Sequence, residues 1–297
     1  MSSNDKEAKA FINRGALLAS RLIGSASGAA AGLVIAGPPG AMIGSLLAPF
    51  ITDSLEKLTG EFINRQLGDR QYIRAGAGFT LLELAIKEHL SRGEKVQEGE
   101  FSTTDESGRR PIDEVTEQAI LAMINSVDER RIPYLANFYA ALYFDETISR
   151  TSIPTLSAIA DGLNYRAMCI LNLVGRGVFY SCVFSDDGVP DQWRDVDHIV
   201  AKEAFSLVSN SILVSKAADK GYYSLVSGYR EIDPTTLKTS PIGNILFDKM
   251  GLASIKSNDT SLIETKQSFD RISATSASDY GPDSLGSYRT VIDGGEF

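Results

Sequence analysis

Apolar positions along this chain recur every three to four residues, a spacing that predicts helices over most of its length. In "DRQYIRAGAGFTLLELAIKEHLSRG" Ile73, Ala77, Leu81, Leu84 and Ile86 fall at helical intervals, and Gly93 after Arg92 supplies a stop. Gly76 and Gly78 weaken that helix unless a neighbour packs closely against them. "GEKVQEGEFSTTDESGRRP" is almost without apolar residues and predicts a loop that Pro111 closes. Beyond it, Ile112, Val115, Ala119, Met123 and Ile124 share one face of a helix. A second helix starts near Pro133 and carries an aromatic stripe of Tyr134, Phe138, Tyr139 and Tyr143. With Asp145 and Glu146 as neighbours rather than basic residues, that stripe predicts core, not a stacking platform for nucleic acid.

The second half repeats the theme. Leu163, Met168, Ile170, Leu171 and Val174 predict another buried helix, and "FSDDGVPDQWRDVD" predicts turns. "HIVAKEAFSLVSNSILVSKA" reads as a helical segment ending in a β-branched run. "GYYSLVSGYREIDPTTL" suits a short strand pair, and "TSPIGNILFDKMGLASI" a capped helix entered through Ser240-Pro241. From Lys256 onward Ser, Asp, Gly and Thr dominate, which predicts a mobile or loosely docked tail.

The pattern breaks near the start. Between Arg21 and Asp53 there is no charged residue, and counting in fours gives Ser20, Gly24, Gly28, Gly32, Ala36, Gly40, Gly44 and Ala48. On helices these residues form a smooth stripe along which another backbone can approach closely. Gly37, Pro38 and Pro39 interrupt it, which predicts two helical arms, about Gly15–Ala36 and Pro39–Leu58, with the three residues as a hinge. The uncharged part of the first arm, Leu22 to Ala36, would span about 22 Å, short of the roughly 30 Å hydrocarbon core; beginning at Gly15 would bring it to about 33 Å. A hairpin inserted part-way, or a bundle of several chains, fits better than a permanent anchor. Left exposed, the run would be a large apolar patch. It is therefore expected to fold against the helical body through its stripe, with the Gly37–Gly40 corner and Thr59-Gly60 as release points.

Composition narrows the function classes. The 297 residues hold 29 Lys+Arg against 38 Asp+Glu, a formal charge of -9, so the molecule as a whole should be repelled by nucleic acid and by anionic membrane surfaces, and any such partner must be met locally. Cys169 and Cys182 form no disulfide framework, and the mixed charges of Asp5, Lys6, Glu7, Lys9 and Arg14 do not read as a secretory signal, so a cytoplasmic protein is expected. His89 and His198 lack metal-ligand spacing, Asp186 and Asp187 lack that of a calcium loop, and "AGPPGAMIGS" lacks the Lys-Ser/Thr of a phosphate loop. "DVDH" before His198 reads as a solvated, dipole-favoured helix start, and "GRR" and "ERR" as isolated basic points. No catalytic, cofactor or metal residues are assigned.

The helix around "LNYRAMCILNLVGRG", then "EAFSLVSNSIL", then "LKTSPIGNILFDKMGL" with Thr239, Gly243 and Phe247, resemble the closing part of the bacterial abortive-infection alpha family. "GDRQYIRAGAGFTLLELAIKEHLSRG" is also similar to uncharacterised bacterial proteins that place a glycine zipper before a helical body. The resemblance implies a phage-defence protein acting on the membrane and supplies no active-site residues. The expected architecture is mostly α: a glycine-zipper hairpin (1–60), a helical body (61–160), a winged-helix-like module with a short β-ribbon (161–255) and a mobile polar tail (256–297). The expected function is a non-enzymatic abortive-infection effector. It would self-associate as a homo-oligomer or insert its hairpin, with membrane contact through residues 15–58 at the inner membrane and a phage or host protein as trigger. The alternative is a DNA-binding regulator using the winged-helix-like module, with "KEAFSLVSNSILVSKAADK" as its recognition helix.

Overall fold

In a computed structural model of the protein, the described residues are 15, 17–19, 21–22, 57–58, 61–62, 65, 67–97, 103–104, 108–177, 193–215 and 232–279. They are mostly helical, with a small two-stranded antiparallel sheet toward the C-terminus. The chain divides into two compact units: one runs to Tyr165 and takes back Asp248–Lys256, the other holds Arg166–Phe247 and the residues from Ser257.

The first unit is built on α1 (Asp69–Ser91), α2 (Pro111–Ile124), α3 (Ile132–Ala141) and α4 (Ile153–Gly162). Asp69 places a carboxylate in the first turn of α1, where the helix dipole favours it, and the Gly68 N–H donates to Gln71 Oε1 at 3.1 Å. Beyond α1, Gly93 stands at φ +79°, a left-handed position suited to glycine. Pro111 opens α2 and Pro133 lies in the first turn of α3, where a missing N–H costs nothing. The expected faces hold: Ile112, Val115, Ala119, Met123 and Ile124 are buried, and so are Tyr134, Phe138, Tyr139 and Tyr143. α1 packs on both α2 and α3. Each buried aromatic contributes about 1.5–3 kcal/mol relative to exposure. Two of the phenols are satisfied locally: Tyr139 donates to Asp161 Oδ1 at 2.9 Å and Tyr143 pairs with the Thr116 hydroxyl at 2.7 Å. Burial pushes both phenols above their ordinary range.

The second unit contains α5 (Tyr165–Gly175, after its first residue), α6 (Asp195–Ser209), β1 (Leu213–Ser215), β2 (Leu237–Thr239), most of α7 (Pro241–Lys249), and α8 (Thr260–Asp279). The ribbon is antiparallel, pairing Leu213 with Thr239, Val214 with Lys238 and Ser215 with Leu237. It therefore starts earlier than the expected strand pair, inside the segment read as helix; residues 216–231 lie outside the described residues. α6 stops at Ser209 because Ser211 takes a left-handed φ of 57°. The Ser211 N–H then donates to Val208 O at 2.9 Å and the Ile212 N–H to Leu207 O at 2.9 Å. A serine where glycine is usual leaves no breaker signal, and the same stop ends the expected recognition helix at Ser209. α7 is capped as expected, the Gly243 N–H donating to Ser240 Oγ at 3.0 Å.

The tail reading is corrected over α8. Leu262, Phe269 and Ile272 are buried, and the intervening Thr265, Ser268 and Ser273 are buried with them. α8 packs against α6, where Arg271 donates to both carboxylate oxygens of Asp197, at 2.6 Å from Nη2 to Oδ1 and 3.0 Å from Nε to Oδ2. The composition looked like a tail because this inward face uses small hydroxyl residues, with Thr265 hydrogen-bonding back to Ser261 O at 2.6 Å. Asp197 likewise departs from the solvated helix start expected of "DVDH": it is fully buried, whereas Asp195 is exposed. Desolvation works against its ionisation, but Arg271, Ser268 and the Arg194 backbone outweigh burial and hold the carboxyl below its usual range.

Candidate functional site: the root of the glycine run

The expected packing residues Ser20, Gly24, Gly28, Gly32, Ala36, Gly40, Gly44 and Ala48, and the hinge Gly37, Pro38 and Pro39, all lie outside the described residues. The two ends of the run do not. Before it, Gly15, Leu17–Ala19, Arg21 and Leu22 are helical, and Gly15, Leu18, Ala19 and Leu22 are buried. After it, Lys57, Leu58, Glu61 and Phe62 are helical, with Leu58 and Phe62 buried and the two charged residues exposed.

Both ends are seated on the first unit. A Cβ added to Gly15 would stand 2.1 Å from the Gly76 carbonyl carbon and 2.2 Å from the Ala77 nitrogen, so two backbones meet there with no room for a side chain. One step further along α1, a Cβ on Gly78 would meet Met123 at 3.2 Å. The glycines that weakened α1 in the sequence thus mark close neighbours on two sides. Phe62 packs edge-on against Phe79, centroids 6.0 Å apart, and the Arg65 guanidinium lies 4.1 Å over the Phe62 ring. Arg65 and Arg109 both donate to Glu117, at 2.7 and 2.6 Å, and these hydrogen bonds draw its carboxyl below the usual range.

Beside the first end lies an open groove of about 530 Å³, lined by Leu22, Arg70, Arg74, Val127, Asp128, Glu129 and Arg130. α1 contributes Arg70 and Arg74, one turn apart; the link between α2 and α3 contributes Val127 to Arg130, and Leu22 comes from the segment before the run. Arg70 donates to Glu129 through Nε at 2.6 Å and also through Nη2, and Arg74 Nε reaches the same carboxylate at 2.8 Å. Burial opposes ionisation of Glu129, but Arg74 and Arg70 outweigh it and hold the carboxyl low. Asp128 caps the turn Glu129–Arg131, accepting from the Arg130 N–H at 3.1 Å and from its guanidinium at 2.6 Å. Its carboxyl is held low in the same way, burial being outweighed by Arg130. Arg130 also lies 4.3 Å over the Tyr165 ring. Sequence reading passed over this groove. Its one local signal is a pair of arginines in the first two turns of α1, where the helix dipole disfavours cations unless a carboxylate answers them.

No cluster of three or more His, Cys, Asp or Glu suited to a metal occurs among the described residues. Asp161 has a carboxyl pushed up by burial, but Tyr139 occupies one oxygen at 2.9 Å and Gln118 the other at 2.6 Å, which makes it a latch between helices. Cys169 is buried. The residues behind the family resemblance serve packing in the second unit. A Cβ on Gly243 would lie 2.1 Å from Ile212 O and 3.5 Å from Thr239 Cβ, and Phe247 covers Gly175. No helix among the described residues is long and apolar enough to cross a membrane. No family model, curated protein or solved structure matches the chain.

Proposed function

We propose that the protein is a non-enzymatic effector whose glycine run acts by self-association at or in a membrane, with the helical body as its mount. The observation that carries this reading is that both ends of the run are seated on one helix, Gly15 on Gly76 and Phe62 on Phe79. Seating Gly15 against α1 also removes the residues that brought the first arm to about 33 Å, leaving Leu22–Ala36 at about 22 Å. That favours partial insertion or an assembly of copies over a single span. Membrane contact is accordingly proposed between Leu22 and Lys57, inside the wider 15–58 range, because Gly15, Leu18 and Ala19 on one flank and Leu58 and Phe62 on the other are buried.

Helical phase supports self-association. Gly15, Leu18, Ala19 and Leu22 define the docked face. At 100° per residue, Ser20, Gly24 and Gly28 fall roughly 130–170° from its centre. If the expected first arm continues this helix, its small-residue stripe lies opposite the docked face, open to a second copy rather than to the body. Pro49 stands between the second part of the series and Leu58, so no phase is carried across it. The role in phage defence rests on the resemblance carried by Thr239, Gly243 and Phe247.

Gly28→Leu and Gly44→Leu place bulk on the stripe and should reduce both assembly mass and liposome association, and with them protection in a plaque assay. Wild-type mass and liposome binding in both variants would sink the proposal. The DNA-binding reading draws on the β1–β2 ribbon following α6. The exposed positions of α6 offer Asp195, Ile199, Lys202, Ser206 and Ser209, a single cation for phosphate contact. Tight, salt-sensitive duplex binding by the full chain would reverse the ranking.

A further inference from the structure

The groove at the root carries an unbalanced charge. One carboxylate, Glu129, answers two guanidiniums, Arg70 and Arg74, leaving one positive charge over, while Asp128 and Arg130 balance each other. Arg70 faces outward, its side chain 59% exposed against 15% for Glu129, while Arg74 stands deeper in the groove at 18%. Arg70 Nη1 and Arg74 Nη2 have no acceptor among the described residues. The positive end of the α1 dipole adds to the same field. Val127, 89% exposed, stands at the groove, and Leu22 on its wall is the last described residue before a stretch with no charge until Asp53.

We propose that this groove binds the phosphoryl group of an anionic phospholipid, holding the root of the glycine run at the headgroup layer. Guanidinium forks match phosphoryl oxygens through paired N–H donors, and Arg70 and Arg74 keep donors for that purpose. A chain that passes from Arg21 into an uncharged run meets the phosphate layer where these arginines stand, and Val127 adds an aliphatic contact at the acyl boundary. The phosphoryl group competes with Glu129 for the two arginines, which makes Glu129 an internal placeholder. The inference rests on the membrane side of the proposed function.

The test is partition of the full-length protein onto vesicles of phosphatidylcholine alone and of phosphatidylcholine with phosphatidylglycerol, at low and high salt. Wild type should prefer the anionic vesicles and lose that preference in salt. Arg70→Gln with Arg74→Gln should weaken anionic binding by roughly 5-fold per arginine. Glu129→Gln should strengthen it, whereas a merely structural ion pair would make that variant weaker or neutral. Equal binding by wild type and the double arginine variant, or no gain in Glu129→Gln, overturns the proposal. So does equal displacement by inorganic phosphate and by soluble glycerol phosphate at low concentration, which would assign the site to a free phosphate. Assembly mass, read without vesicles in the Gly28→Leu and Gly44→Leu variants, separates failure of the groove from failure of the self-association reading.

Discussion

The two units bury their helices by different chemistry. In the first, Tyr134, Phe138, Tyr139 and Tyr143 fill the space beneath α1, and the ion pairs of Glu117 with Arg65 and Arg109, and of Asp145 with Lys249, stand at the edge. In the second, the α6–α8 seam carries Thr265, Ser268 and Ser273 beside a fully buried Asp197 gripped by Arg271. An aromatic core is stabilised by area and fails in proportion to the volume removed. A polar seam is stabilised by mutual satisfaction and fails when one partner is lost, because the other is left uncompensated. The largest effect should come from Phe138→Ala, which empties a fully buried ring and should cost about 3–5 kcal/mol in urea denaturation.

Next comes Asp197→Ala. Arg271 would lose the carboxylate that grips it, and a loss of about 3 kcal/mol is expected, at the lower end for broken buried pairs because Arg271 retains some solvent contact. Trp193, the single tryptophan, lies in this unit and reports the transition by fluorescence. Asp197→Leu with Arg271→Met should recover most of the loss. If the double variant is as unstable as the single one, the seam is held by shape and the contrast between the units is wrong. The acid limb differs as well. Because the folded carboxyl of Asp197 sits below its unfolded value, its contribution is present above about pH 4 and is lost as pH falls through the folded value.

A third kind of contact, backbone on backbone, sits at the root of the glycine run. Gly15→Ala should cost about 1–3 kcal/mol, because the atoms its Cβ would strike at 2.1 and 2.2 Å belong to main chain and cannot swing aside. Gly162→Ala is the contrasting case: nothing lies within 4 Å of its added Cβ, so the same substitution in α4 should stabilise by about 0.4–1 kcal/mol. Urea midpoints of the two variants should move in opposite directions. Equal shifts would mean that helix propensity, and not close approach, governs Gly15.

These differences track what the sequence could show. The faces of α2 and α3 were legible because apolar spacing is local, and Pro111 and Pro133 announced the helix starts. α8 was hidden because a helix that buries Thr265, Ser268 and Ser273 has the composition of a tail. β1 was hidden because Ser211 takes a turn conformation that glycine usually advertises. The root was half legible: Gly76 and Gly78 announced a close neighbour, but nothing local could name Gly15 or Met123. The groove was less legible still, since Arg70 and Glu129 meet across 59 positions of sequence. The glycine series, which carried the functional expectation, lies outside the described residues.

The smallest effect tests whether the ion pairs of the first unit are as peripheral as the comparison requires. Lys249 reaches Asp145 at 2.6 Å, with side chains 31% and 12% exposed. Burial works against ionisation of Asp145, but Lys249 and then Thr147 outweigh it and leave the carboxyl below its ordinary value. Thr147 donates from its backbone at 2.9 Å and from its hydroxyl, so removing the lysine does not strand the carboxylate. Lys249→Ala should therefore cost only about 0.2–1 kcal/mol at neutral pH. The sign with pH follows from the lowered value. The pair contributes above the unfolded pKa of about 3.9 and fades as pH drops through the folded value, so variant and wild type should converge in acid. A loss near that of Asp197→Ala would show that solvent does not screen this pair, and the first unit would then share the polar dependence assigned to the second.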